Sequence, residues 1–223
     1  WFSSRLEGGL GGRSGVDINK GRCSAVVAFR TLLTAISEKC NFNVASINIG
    51  EANASIASSG EIVICISLDE EFLNQKELAL NDWLREKFGD CDPNMHCTIS
   101  RCEPQSTVIN PKAVAALLTC LEQIPQGVVR MSDSMKATVE TSNNIGRIQT
   151  KSDSIFVSTH TRSFIDSEME RLSRQIAGVF TANGATSEIV MSAPAWQENQ
   201  QSAFLQLTSD TFQDVLGWRP RMV

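Results

Sequence analysis

Gly8-Gly9-Leu10-Gly11-Gly12-Arg13-Ser14-Gly15-Val16-Asp17-Ile18 is the stretch on which the fold of the N-terminal part depends. Five of its residues, within a window of eight, are glycine. Because glycine loses more chain entropy on folding than any other residue, so dense a run indicates a turn with positive φ angles or close backbone approach. The apolar Phe2–Leu6 segment lies before it and a helical pattern follows it, so the sequence predicts a strand, a glycine loop and a helix in this order.

Outward from this loop, hydrophobic periodicity predicts two similar sets of elements. In residues 1–104 these are strands at Phe2–Leu6, Val44–Ile49, Glu61–Leu68 and His96–Cys102, with helices at Arg22–Cys40 and Asp69–Phe88. The first helix has Val26, Phe29, Leu33 and Ile36 on one stripe. In residues 105–190 these are a helix that Asn110 caps and that runs to Glu122, strands at Gln126–Met131, Val139–Gln149, Ile155–Arg162 and Glu188–Met191, and a helix capped by Asp166 or Ser167.

The strands are not separated by regular crossover helices, which is typical of antiparallel sheets. The predicted fold is therefore α+β, with antiparallel sheets covered by helices on one face, in two ferredoxin-like halves (about 1–104 and 105–190). Residues 191–223 begin a different segment, with a helix over about Glu198–Leu216 and the start of a strand at Arg221. Since the sequence begins without methionine and ends where that strand starts, we expect it to be part of a longer chain.

Composition narrows the class of protein. The 223 residues are 42% apolar and 20% charged, as in ordinary soluble globular domains. The net charge of −5 argues against nucleic acid or an anionic membrane as partner. No apolar run approaches the roughly 20 residues of a spanning helix. The seven cysteines are scattered without a Cys-x-x-Cys pair, which predicts free, buried or half-buried thiols in a reducing cytosol rather than a zinc knuckle.

Catalytic chemistry is sparse. With only His96 and His160, the chain lacks the ligand set that a zinc or manganese hydrolase needs, so no metal site is predicted within it. His96 is predicted to be a partly buried strand residue. The acidic run Asp69-Glu70-Glu71 is interpreted as the N-terminus of a helix. The glycine stretch matches neither the dinucleotide fingerprint nor the Walker pattern, and Ser14 does not lie in a Gly-x-Ser-x-Gly elbow.

Two strands carry polar residues whose role stays open at this point. The period of two places Phe156, Ser158, His160 and Arg162 on one face, which is either a solvated face or a site where Arg162 holds a carboxylate. The segment Glu140–Asn144 is either a hydrogen-bonding strand of a site or a simple edge strand.

Several stretches together resemble one known family. Gly11–Ile18, with Gly21-Arg22 just after it, resembles the Gly-Gly-His-Ser-Gly-x-x-Ile segment of aminoacyl-histidine dipeptidases, metallo-exopeptidases related to carnosinase. Further stretches resemble the family in the same order, namely Pro125–Asp133 (Pro-x-Gly-Val-x-Arg-Met-Ser), Val139–Gly146 (Val-Glu-Thr-Ser-x-Asn-Leu-Gly), Arg162–Ser167 (Arg-Ser-Leu-x-Asp-Ser), Pro194–Trp196 (Pro-Gly-Trp) and Gly217–Pro220. Their shared order, over nearly the whole chain, makes a chance match improbable.

This resemblance implies a specific role. Residues 1–190 would be the lid domain of a cytoplasmic metal-dependent dipeptidase, and residues 191–223 the first helix and strand start of the returning catalytic segment. By family role, Arg162 would grip the terminal carboxylate of a small dipeptide of the aminoacyl-histidine type, and Asn144 would line the same cleft. The family's zinc or manganese ligands lie outside this stretch, so no cofactor is expected to bind to the chain itself, and the chain alone is expected to be inactive.

Two departures from the family pattern bear on activity. Arg13 stands where the family has a lid histidine that polarises the scissile carbonyl; a guanidinium can stabilise an oxyanion but cannot carry a proton. Ala54-Ser55-Ile56-Ala57 replaces the family's Asn-Ala-Ile-Pro turn. Two alternatives therefore remain beside the dipeptidase hypothesis: a non-catalytic dimerisation or interaction module, in which the chain forms a homodimer, and a generic small-molecule-binding α+β domain.

Overall fold

The computed structural model describes residues 1–135, 137–190, 193–196, 199 and 201–220. Its elements, in chain order, are β1 (Phe2–Glu7), α1 (Ala25–Ser37), β2 (Phe42–Ile49), β3 (Gly60–Ile66), α2 (Glu70–Phe88), β4 (His96–Arg101), α3 (Pro111–Gln123), β5 (Gly127–Met131), β6 (Val139–Thr150), β7 (Ile155–Ser163), α4 (Asp166–Ala182) and α5 (Ala203–Leu216). The α+β class predicted from the sequence is confirmed.

All seven strands join in one antiparallel sheet, in the order β4-β1-β3-β2-β6, with β5 and β7 also paired to β6. Residues 141–143 of β6 pair with β5 and with β7 at once, so these two strands flank β6 on opposite edges. The sequence predicts two halves, but the structure fuses their sheets where Asn48 and Ile49 of β2 meet Gln149 and Ile148 of β6.

Two glycines allow this junction. A Cβ atom at Gly50, which has φ +68°, would overlap the carbonyl oxygen of Gly146. A Cβ atom at Gly146 would in turn overlap the carbonyl oxygens of Ala52 and Asn53. The backbone after β2 can therefore cross over β6 only because both positions lack a side chain.

Helices α1 to α4 form one layer on a single face of the sheet, as the sequence predicts. Helix α2 contacts β4, helices α1 and α3 contact β2, and α4 contacts β7. Every second residue of β3 (Ile62, Ile64 and Ile66) points into the core between the layers. The predicted stripe of α1 is also buried, namely Val26, Phe29, Leu33 and Ile36. Burial of such apolar side chains contributes roughly 1.5–3 kcal/mol each to the stability of the fold.

Local capping signals explain where α2 and α3 begin. The Asp69 carboxylate accepts a hydrogen bond from the Phe72 amide at the start of α2, and Asn110 accepts one from the Lys112 amide at the start of α3. The cap predicted for α4 is wrong: its N-cap is Ile165, which makes no side-chain cap. Asp166 instead accepts a hydrogen bond from the Ala195 amide, 2.7 Å away. The carboxylate is thus used to hold the chain after the helix.

Two predictions for the C-terminal part of the chain differ from the structure. Residues 188–190 of the predicted strand Glu188–Met191 are exposed and not in a strand, because no described strand pairs with them; Met191 lies outside the described residues. Helix α5 begins at Ala203, after a Ser202 cap, rather than near Glu198, and the predicted strand start at Arg221 lies outside the described residues. None of the described helices is both long and apolar enough to cross a membrane.

The edge strands of the sheet differ in how far their outer backbone groups are available to another strand. The outer side of β4 is covered by α2, because the Asn81 side chain bonds both the amide and the carbonyl of Cys97, and Glu77 accepts from the Ile99 amide. Strand β5 has five residues and its pairing is interrupted by two register shifts. All nine residues of strand β7 pair with β6, with one register shift between Ile145 and Arg147 of β6, and within the described part of the chain β7 pairs on one side only.

All seven cysteines are free thiols, and six are buried or half-buried as predicted; Cys91 is exposed. Burial raises the pKa of Cys23 to about 12 and that of Cys97 to about 11. Since the thiolate is the nucleophile, we expect iodoacetamide to alkylate Cys91 in the folded protein, and Cys23 and Cys97 only after unfolding. Mass spectrometry of the labelled peptides measures this order, and equal labelling of Cys97 and Cys91 under native conditions would contradict it.

Candidate functional site

Two loops meet on the sheet face opposite the helices, beside β6 and β7. The glycine loop (residues 8–22) and the β2–β3 loop (residues 50–59) are joined by a bridge between Arg13 and Ser55. The Ser14 amide donates to the Ala54 carbonyl and the Ile56 amide to the Gly12 carbonyl, each at 2.9 Å. These backbone hydrogen bonds fix the glycine loop against the β2–β3 loop, so it is not a free turn.

Acidic side chains fix the shape of the glycine loop. The buried Asp92 accepts hydrogen bonds from the amides of Leu10 (2.9 Å) and Cys23 (3.3 Å), which fastens the loop to the end of α2. Asp17 accepts from the Lys20 ammonium at 2.7 Å and from the Arg13 amide at 2.8 Å. The hydrogen bond from Lys20, and then that from Arg13, lower the pKa of Asp17.

Asn144 of β6 holds the β2–β3 loop in place. It is buried (1% exposed), and its Nδ2 donates to the carbonyls of Ser55 (2.8 Å) and Asn53 (3.3 Å). Its Oδ1 accepts from Gln126 Nε2 at 3.1 Å. These bonds hold the loop against β6. The role predicted for Asn144, lining a substrate cleft, stays a prediction; its side-chain hydrogen bonds go to the protein's own backbone and to Gln126.

The segment Glu140–Asn144 is also not an edge, which corrects one of the two interpretations of the sequence. It lies in β6, between β5 and β7, and all five of its residues are buried. Sequence pattern alone did not reveal this, because polar side chains on both faces are typical of exposed strands. Here the loops cover one face and the helices the other.

Arg162 lies exposed on β7, opposite Ser142 of β6. Its guanidinium lies against the backbone of Gly15: a Cβ atom at Gly15 would lie 3.0 Å from both Cζ and Nη1 of Arg162. Within the described residues, this guanidinium makes no hydrogen bond or ion pair. It is therefore a positioned cation whose donors are available to a ligand.

Arg13, the second predicted site residue, is exposed on the same loop, two residues before Gly15. Its backbone is held by Asp17 and Ser55, but its guanidinium also has no partner in the part of the chain that the structure describes. The structure thus brings the loop that carries Arg13 to the strand that carries Arg162. Both predicted arginines flank Gly15.

Two further residues of this region were not singled out as site residues by the sequence. Ser14 is 1% exposed, and its Oγ has no hydrogen-bond partner among the described residues. His160 lies two residues before Arg162 on the same face of β7, half-buried and opposite Asn144. The period of two in β7 does place His160 beside Arg162, whereas no sequence signal indicates that Ser14 is buried.

The ionisation of His160 gives a testable property of the site. Partial burial, and then the neighbouring Arg162, lower the pKa of His160 below its usual 6.5. The unfolded chain therefore takes up this proton more readily, so stability falls as the pH drops through 6.5 towards the folded-state pKa. We expect the wild type to lose more thermal stability than His160→Gln between about pH 7.5 and about pH 5.5.

Thermal unfolding midpoints of both proteins at the two pH values measure this difference. His96→Gln is the matched control, because His96 is exposed rather than partly buried as predicted, and its ring forms a hydrogen bond with the nearby Asn94 carbonyl. If His160→Gln lost as much stability on acidification as the wild type, the lowered pKa would be contradicted.

The described residues do not fit a metal ion. No group of three or more histidine, cysteine, aspartate or glutamate side chains that could hold one is found among them. The buried carboxylate at the glycine loop, Asp92, is occupied by backbone amides. What this region offers a ligand is therefore the charge and the hydrogen-bond donors of its arginines.

Comparisons with known proteins agree with this fold. No family model matches the chain. It is 23% identical to the cytosol non-specific dipeptidase of Escherichia coli (strain K12) over 222 aligned residues. The alignment covers 99% of this chain and 46% of the relative. Among solved structures, the aminoacylhistidine dipeptidase of Vibrio alginolyticus superposes on 100% of this chain with a TM-score of 0.90 and 23% identity, over 46% of that protein.

The chain therefore spans about half the length of the curated relative it matches, and its fold is that of the corresponding half of a solved dipeptidase. The matched sequence runs through the glycine loop, β6 and β7, on which the resemblance of the motifs rests. The resemblance of this chain to the aminoacyl-histidine dipeptidases is thus confirmed.

Proposed function

We propose that this chain is the lid and substrate-binding part of a cytosolic metal-dependent dipeptidase that hydrolyses small peptides of the aminoacyl-histidine type. The observation that carries the proposal is the guanidinium of Arg162, which lies against Gly15 of the loop that also carries Arg13 and has no partner among the described residues. A guanidinium presents two parallel N–H donors to a carboxylate, and every dipeptide substrate carries a terminal carboxylate.

The two arginines take different roles in this proposal. Arg162 binds the terminal carboxylate, and Arg13 lies near the scissile carbonyl, where it stabilises developing negative charge. Since a guanidinium does not deprotonate, Arg13 carries no proton in the reaction. Asn144 and Gln126 hold the loop that bridges to Arg13, so they act on the site by positioning it.

Residues 191–223 are assigned in this proposal to the returning catalytic segment. The exposure of α5 supports the assignment, because none of its described residues is buried. Phe204, Leu207 and Val215 of this helix are 77%, 63% and 73% exposed. We propose that this apolar surface packs against further polypeptide of the catalytic segment, since exposed apolar surface of this kind marks an interaction site.

The metal of the parent enzyme, zinc or manganese, would be bound by polypeptide other than this chain. The chain alone is then expected to hydrolyse no dipeptide when zinc or manganese is added. Release of free amino acids from Gly-His by the purified chain, measured in the presence of either metal, would refute this division of roles.

Carboxylate binding by Arg162 has a direct test in the isolated chain. Hydrogen bonds to a charged group contribute about 1.5–3 kcal/mol, so Arg162→Gln should weaken binding of Gly-His at least about tenfold. The dissociation constant is measured by NMR titration of backbone amides. Arg85→Gln is the control, because Arg85 is an exposed residue of α2 whose guanidinium, among the described residues, pairs only with Asp82. Equal weakening in both variants, or no binding by the wild type, would refute the site.

A second candidate function is a non-catalytic dimerisation module, which the free edge of β7 favours. Two copies can pair β7 with β7 in antiparallel fashion. Sedimentation velocity measures the oligomeric state, and Thr159→Pro on β7 removes a backbone donor from the edge. A wild-type dimer that becomes monomeric in Thr159→Pro supports this candidate, whereas a wild-type monomer excludes it.

A further inference from the structure

Two cations lie close together near the turn of the β6–β7 hairpin. Gln149 Oε1 accepts a hydrogen bond from Arg147 Nη2 at 2.6 Å and another from Lys151 Nζ at 2.9 Å. Because both nitrogens bond the same oxygen atom, they are at most about 5.5 Å apart. Two like charges at this distance repel each other, and the amide oxygen between them carries no net charge that would offset the repulsion.

Both cations are held in place by the protein. The Nε of Arg147 is buried and has no hydrogen-bond partner among the described residues, so the stem of this side chain is packed rather than free in solvent. The ammonium of Lys151 lies over the ring of Phe156, 6.0 Å from its centroid. Groups that are positioned before a ligand arrives lose less conformational entropy when they bind it.

A third polar group lies on the same face of the hairpin. Ser158 of β7 is paired directly with Arg147 of β6, so the two side chains point to the same side of the sheet. The Ser158 hydroxyl makes no hydrogen bond within the part of the chain that the structure describes. It is therefore available as a donor beside the two cations.

The acidic side chains of this region do not pair with the two cations. Asp153 lies exposed in the hairpin turn, and Glu51 lies exposed in the β2–β3 loop. Glu170 and Glu188 line the cavity along β7, where Glu170 pairs with Arg174 at 2.9 Å. Among the described residues, none of these four carboxylates forms an ion pair with either cation. Solvent screens exposed charges beyond ion-pair distance, so the attraction of an anion here depends on direct contact with the cations.

We propose that Arg147, Lys151 and Ser158 bind a phosphate group, as inorganic phosphate or as the phosphate of a small monoester. A phosphate oxygen takes the place of Gln149 Oε1 between the two cations. The neutral amide oxygen is then replaced by a charged one, and hydrogen bonds in which a partner is ionised are about twice as strong as neutral ones. The like charges of the cations also gain a negative charge between them.

The three donors favour phosphate over a carboxylate. A phosphate group presents at least three acceptor oxygens in a tetrahedral arrangement, so it can accept from both cations and from the hydroxyl together, whereas a carboxylate has two oxygens in one plane. The inference goes beyond the proposed function and does not use Arg162, which lies four residues after Ser158 along β7, about 13 Å away.

Titration with inorganic phosphate at constant ionic strength tests the inference in the isolated chain. We expect saturable NMR shifts of backbone amides in residues 147–158. Arg147→Gln and Lys151→Gln should each raise the dissociation constant about fivefold, the upper range for one exposed charge pair. Lys76→Gln is the control, because Lys76 also lies over an aromatic ring, 5.2 Å from the centroid of Phe72, and should keep the wild-type affinity.

The variant Gln149→Glu tests the position of the anion. It has almost the same shape as the wild type but places a carboxylate between the two cations. We expect it to raise the thermal unfolding midpoint and to weaken phosphate binding at least about fivefold. The control Gln105→Glu adds the same charge at an exposed side chain that, among the described residues, bonds only the Glu103 carbonyl. This control should leave the affinity for phosphate unchanged.

Glycerol phosphate and acetate complete the experiment. If glycerol phosphate binds as tightly as inorganic phosphate, a monoester is supported as the ligand; if only inorganic phosphate binds, the free ion is supported. Three results would each overturn the inference. These are acetate binding as tight as phosphate binding, shifts that do not saturate at constant ionic strength, and an unchanged phosphate affinity in Gln149→Glu.

Discussion

Replacing Gly15 by alanine should abolish most dipeptide binding without unfolding the chain. The added Cβ atom would lie 3.0 Å from Cζ and Nη1 of Arg162, tighter than ordinary van der Waals contact, so the guanidinium must move. The atoms that this Cβ would meet belong to the end of an exposed side chain, so they can shift by a few tenths of an ångström without unfolding the protein. In the proposed site the shifted guanidinium no longer presents its two donors to the carboxylate in line, and we expect the affinity for Gly-His to fall about tenfold.

The control for this change is Gly178→Ala in α4. A Cβ atom at Gly178 meets nothing within 4 Å, and alanine favours a helix over glycine, so this variant should bind like the wild type and be slightly more stable. Titration of both variants with the same peptide gives the comparison. Wild-type affinity in Gly15→Ala would show that the position of Arg162 does not determine binding.

Replacing Gly50 by alanine should lower the stability of the protein strongly. Gly50 has φ +68°, where a Cβ atom is strained by about 1–2 kcal/mol, and that atom would also overlap the backbone oxygen of Gly146. The backbone of Gly146 cannot rotate away from this contact as a flexible side chain can. Overpacking of this kind costs about 1–3 kcal/mol more, so we expect the free energy of unfolding to fall by about 3 kcal/mol in total.

Gly184→Ala separates the two contributions. Gly184 has φ +81°, close to that of Gly50, but a Cβ atom there meets nothing within 4 Å. This variant should lose only about 1–2 kcal/mol, from backbone strain. Urea unfolding of both variants measures the difference, and equal losses would mean that the crossing of Gly50 over Gly146 is not tightly packed.

The sequence predicts those parts of the fold that depend on neighbouring residues. The caps Asp69 and Asn110, and the stripe of α1, follow from spacing within one helix, and the structure has them as predicted. The cap of α4 fails because Asp166 is used by Ala195, a contact distant in sequence. The fusion of the two halves also escapes prediction, since it depends on the approach of Gly50 to Gly146.

The same distinction applies to the candidate site. The motifs identify Arg13 and Arg162, and the structure brings their segments together. The motifs cannot show that Asn144 bonds the carbonyls of Ser55 and Asn53, because an asparagine in a polar strand has the same sequence signature whether it faces a ligand or a loop. Burial of Ser14 likewise depends on how two loops stack.

The unequal edges of the sheet set a limit on assembly. Helix α2 occupies the amide and carbonyl of Cys97 and the amide of Ile99, and β5 is short, so among the described strands β7 offers the longest free edge. If two copies join there by antiparallel pairing, this edge is used in each of them. Pairing through β7 alone would then end at two copies rather than continue into a fibre.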